Sequence, residues 1–119
     1  MVDFMIPESV SFRLQLIASS LLRKDVKKIK DNIALIKKVL GANEWEKGYL
    51  LALNGVVASV ESDDVQTLAH KIANQKISKE ALVSFLKESE KSIKQPFRSD
   101  FEKGYELAWR DLLVHFKDL

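Results

Sequence analysis

Apolar residues recur at three- and four-residue spacing along almost the whole chain, the period of helices that bury one face. Val10, Leu14, Ile17 and Leu21, widened by Phe12 and Leu16, predict a first helix that opens after Pro7 and ends near Leu22. The stripe then changes phase to Val26, Ile29, Ile33, Ile36 and Leu40. A break between Ser19 and Asp25 explains that shift better than one long helix with a stutter. Gly41 is the expected C-terminal stop of the second helix, where a glycine tolerates positive φ.

Asn43 with Glu46 three residues on predicts a capping box, and a third helix from there to Val60. Ser62, Asp63 and Asp64 read as the start of a fourth, with Val65, Leu68 and Ile72 inward. Ser78 opens a fifth, with Leu82, Phe85 and Leu86 inward, and Pro96 closes it. The sixth runs from Asp100 to about Phe116 and is expected to bury Phe101, Tyr105, Ala108 and Leu112, with Glu102, Lys103, Glu106 and Arg110 on its surface. The fold class is therefore all-α, with about six helices.

The pattern also repeats. Glu46-Lys47-Gly48-Tyr49 returns as Glu102-Lys103-Gly104-Tyr105, each followed by Leu and Ala, with Trp45 answered by Phe101 and Asn43 by Ser99. A period of about 50 residues marks repeated supersecondary units, so the expected organisation is one helical domain over 1–119 in which two three-helix repeats, about 8–60 and 62–117, share one core. Ser19 to Lys24 then aligns with Asn74 to Lys79. Helix initiation explains Glu46 and Glu102 without invoking function.

The third helix is apolar nearly all round, with Leu50, Leu51, Leu53, Val56, Val57 and Val60, and Asn54 and Ser59 as its polar interior members. A leftover apolar patch there is expected to pair two chains. Gly48 and Gly104 lie about a turn inside helices, where each costs roughly 1 kcal/mol against Ala. Something must offset that cost. Gly48, Ala52, Gly55 and Ser59 form a small-residue stripe, and Gly104 with Ala108 begins another, so the favoured reading is that the two helices cross at their glycines. The other is a ligand pocket built from Gly48, Tyr49, Gly104 and Tyr105.

At 119 residues, 46% hydrophobic and 30% charged, the composition is that of a globular domain. The absence of cysteine rules out disulfides and thiolate metal sites and fits a reducing, cytoplasmic compartment. No signal peptide or membrane span is expected. His70 and His115, with Asp111 one turn before the latter, fall short of the three ligands of a catalytic zinc site. No nucleophile elbow or phosphate-binding glycine loop occurs. No catalytic residue, metal ligand or cofactor is assigned. Tyr49, Tyr105, Trp45 and Phe101 read as core aromatics, since a base-stacking platform requires exposed rings beside cations.

The net charge of +2 is unevenly placed. Arg23, Lys24, Lys27, Lys28, Lys30, Lys37 and Lys38 face only Asp25 and Asp31 in the same segment. A solvated lysine-rich face is one reading, and binding of RNA or DNA phosphates, salt-sensitive and weakly sequence-selective, is the other. The stretch from Trp45 to Gly55, WEKGYLLALNG, resembles small archaeal all-helical proteins of unassigned function, a resemblance that supplies no active site. The sequence thus points to a non-enzymatic helical interaction module, a homo-oligomer or a subunit of a larger assembly, with a basic helix that contacts nucleic-acid phosphates on the second of these charge readings. The alternative is a small ligand-binding bundle or enzyme with its pocket near the repeated Glu-Lys-Gly-Tyr motifs.

Overall fold

The computed structural model describes residues 6–62 and 64–117, and among them the protein is all-helical, with six helices and no strand. They are α1 (Glu8–Leu22), α2 (Val26–Val39), α3 (Glu44–Glu61), α4 (Leu68–Ala73), α5 (Lys79–Ile93) and α6 (Asp100–Lys117). The phase change after Leu21 is a true break. Arg23 and Lys24 form the turn, and Asp25 caps α2 by accepting the Lys28 N–H at 3.1 Å.

Both short inter-helix turns end their helix in the same way. Lys24 (φ 56°) and Gln75 (φ 54°) take the left-handed conformation without being glycine. The next N–H in each case reaches back five residues, from Asp25 to the Ser20 carbonyl at 2.9 Å and from Lys76 to that of Lys71 at 2.8 Å. These are Schellman closures. They put Lys24 opposite Gln75, not Lys79 as the aligned repeats suggest.

Two other boundaries depart from expectation. Gly41 does not stop α2 through a positive φ, since no described glycine has one; Leu40 ends the helix in an extended conformation. Gly41 instead leaves room for the buried Glu46 carboxylate, to which its N–H donates. A Cβ there would lie 2.9 Å from a Glu46 oxygen. The start expected at Ser62 lies too early: Thr67 caps α4 by accepting the His70 N–H at 3.2 Å, and Val65 is exposed in the preceding turn. Asp63 lies outside the described residues.

α3 and α6 form the most extensive helix pair, and α5 packs on α6 as α1 packs on α2. α6 also meets α1, and α4 meets α1 and α3. The core is built from Val10, Leu14, Ile17 and Leu21 of α1, Ile29 and Ile36 of α2, Tyr49, Leu53 and Val56 of α3, Ile72 of α4, and Leu112 and Leu113 of α6. Burial of these side chains, at about 25 cal/mol per Å² of apolar surface, supplies the main stabilisation.

Besides Val65, four residues expected inside stand outside. Phe12 lies opposite the buried arc of α1, because residues two apart on a helix do not share a face. Phe85 and Tyr105 are exposed because the six-residue α4 does not pack its backbone closely against α5, leaving an open groove that both residues border. Asn54 is exposed as well, so α3 is not buried all round; Leu51, Gly55 and Ala58 share its open side. No described helix is long and apolar enough to cross a membrane.

Candidate functional site

Gly48 and Gly104 meet at the crossing of α3 and α6. A Cβ on Gly48 would overlap the Phe101 carbonyl oxygen and come within 2.9 Å of its carbon. One on Gly104 would overlap the Trp45 carbonyl oxygen, 2.6 Å from its carbon. Each glycine therefore faces backbone three residues before the other. No ligand-sized space exists between them, so the pocket expected at the four motif residues is not assembled there.

The two tyrosines part company at this crossing. Tyr49 is fully buried, its ring edge-on to Trp45 with centroids 6.4 Å apart, and its hydroxyl donates to Asp111 Oδ2 at 2.9 Å. Arg110 donates to the other carboxylate oxygen from Nη2 at 3.0 Å. Burial pushes the Tyr49 phenol far above its ordinary range, and the charge and hydrogen bond of Asp111 push the same way, with Arg110 opposing. Asp111 is thus engaged by Tyr49 and Arg110 rather than by His115.

Tyr105 instead borders a groove of about 410 Å³ with Ala52, Gly55, Phe85 and Trp109. The small-residue stripe of α3 has two uses in consequence. At Gly48 it admits the backbone of α6, while at Gly55 nothing lies within 4 Å of a Cβ position and the stripe becomes groove floor.

The seven cations of the basic segment are all exposed, but they do not line one face. Arg23 and Lys24 belong to the turn before α2. Lys27, Lys28 and Lys38 project from the open side of α2, whereas Lys30 and Lys37 border a groove against α3 together with Leu50 and Asn54. The spread follows from 3.6 residues per turn: Lys27 and Lys28 are about 100° apart, and Lys30 and Lys37 fall together two turns apart. Lys27 pairs with Asp31 at 3.5 Å and Lys30 with Glu61 at 2.9 Å, both in solvent, where such pairs contribute little and exchange readily. Between residues 8 and 40, eight Lys and Arg stand against three acids.

Sequence reasoning missed one member of this surface. Arg13 of α1 holds its guanidinium 5.7 Å from the Phe12 ring centre and donates to Asn32 Oδ1 of α2 at 3.4 Å. Its signal was a lone arginine beside a phenylalanine on the solvent side of α1. No group of three or more His, Cys, Asp or Glu among the described residues is placed to hold a metal ion. The chain matches no protein-family model, no curated protein and no solved structure.

Proposed function

We propose that the protein is a non-enzymatic helical interaction module whose α1–α2 hairpin engages the phosphates of a nucleic acid, as a homo-oligomer or as a subunit of a larger assembly. The observation that carries this reading is the set of seven exposed cations on α2 and the turn before it, two of which form ion pairs among the described residues, both solvent-exposed. Lysine ammonium groups act as point charges, so the interaction is expected to be steeply salt-dependent and to discriminate little among sequences.

Lys28, Lys37 and Lys38 lie outside both ion pairs and away from the core. Their simultaneous replacement by Glu is expected to leave the helical circular dichroism spectrum unchanged and to abolish binding to unrelated RNA and DNA oligonucleotides at low salt. A parent protein that binds none of them would end this reading.

The apolar groove beside Tyr105 supports a second reading, a ligand-binding bundle. Trp109 lines that groove, so its fluorescence would report an apolar occupant. Self-association through α3 rests on Leu51, half exposed beside Gly55, and light scattering measures it directly.

A further inference from the structure

We infer that Phe12 is a base-stacking platform and that the nucleic acid taken by the α1–α2 hairpin is single-stranded. This rests on the phosphate-binding reading of α2 and adds an independent observation to it. A stacking platform needs an exposed ring beside cations. Phe12 meets each condition. It is 56% exposed, on the side of α1 opposite the core. The Arg13 guanidinium lies over its ring, within the distance at which a cation is attracted to an aromatic face.

Arg13 is held as well as near. Its Nη1 donates to Asn32 Oδ1, and the Asn32 amide donates in turn to the Lys28 carbonyl at 2.8 Å. A short chain of hydrogen bonds therefore joins the aromatic ring of α1 to the Lys28–Asn32 turn of α2. On this inference a strand runs its phosphates along the open side of α2 and lays an unpaired base on the ring. A duplex keeps its bases stacked on one another and offers this ring no free base face. RNA and DNA share the required chemistry, a flat unpaired base next to a phosphate.

The test is fluorescence anisotropy with labelled oligouridylate, oligothymidylate, an abasic DNA strand of equal length and a mixed-sequence duplex. Phe12→Ala is expected to weaken binding to the two base-bearing single strands by about fivefold to a hundredfold. Its affinity for duplex should stay within about twofold of the parent, since phosphate contacts alone hold the duplex. Phe12→Trp should retain single-strand binding. The two base-bearing strands distinguish RNA from DNA, and loss of affinity for either on Phe12→Ala supports the inference. A parent that binds no oligonucleotide overturns the phosphate reading and this one together. If Lys28→Glu/Lys37→Glu/Lys38→Glu weakens all binding while Phe12→Ala changes none, the phosphate reading stands and stacking is overturned. Equal affinity for the abasic strand and oligothymidylate overturns stacking as well.

Discussion

Tyr49 hides a phenol among apolar side chains and gives it one strong acceptor, Asp111. Tyr49→Phe removes a hydrogen bond to a charged group and is expected to cost about 1.5 to 3 kcal/mol at neutral pH, measured by urea denaturation. The cost should also depend on pH. The folded state keeps the phenol protonated well above the usual range. The unfolded chain releases that proton near pH 10, so the unfolded state then binds fewer protons and stability falls as pH rises. The contribution of Tyr49 is therefore fully present below about pH 10 and declines above it, by at most about 1.4 kcal/mol per pH unit. Tyr49→Phe should lack that decline. The glycines divide at the same scale. Gly48→Ala and Gly104→Ala must push two backbones apart and should each cost more than about 2 kcal/mol, near the upper part of the overpacking range. Gly55→Ala, facing open space, should stabilise by up to about 1 kcal/mol through helix propensity alone. Thermal melts of the three variants check this ordering.

The helices begin where short polar side chains can accept an N–H: Asp25, Thr67, Ser78 and Ser99 each do so. Most of these starts were legible. Ser78 and Ser99 precede apolar periodicity, and Asn43 with Glu46 spells its box, in which Glu46 accepts the Asn43 N–H at 3.1 Å. Thr67 was hidden by Ser62-Asp63-Asp64, a stronger-looking start, although Asp64 serves the turn by accepting the Gln66 N–H. Gly41 was legible as special and misread as to cause, because a close approach by a carboxylate leaves no local trace. The exposure of Phe85 and Tyr105 was illegible for a different reason. Periodicity tells which residues share a face, and only the shortness of α4 tells that nothing covers it. The basic segment was readable as charge, whereas the link from Arg13 to Asn32 depends on how α1 lies against α2. The helix ends carry a prediction too. Lys24 and Gln75 occupy a conformation that costs a side-chain-bearing residue about 1 to 2 kcal/mol, part of which glycine would return in unfolded-state entropy. Lys24→Gly and Gln75→Gly should each stabilise by roughly 0.5 to 1 kcal/mol, seen as a raised denaturation midpoint at unchanged slope.

Across the whole molecule, packing is concentrated where α3 and α6 cross and thins toward α4, which has six residues and, among the described helices, lies closely against α1 and α3 alone. An isolated helix of that length has no stability of its own. Native-state hydrogen exchange should therefore find the α4 amides opening well before those of α3 and α6, which exchange only through global unfolding. Uniform protection across all six helices would contradict this. The crossing has a further consequence, for how such a sequence can drift under selection. Each missing side chain makes room for the other helix's main chain, so neither site is selected alone. Once one of them gains a carbon and the helices separate, the other glycine keeps only its helix penalty and nothing favours its retention. Variation at 48 and 104 is accordingly joint: descendants that keep the close crossing hold glycine at both sites, and lineages that abandon it are free to fill both.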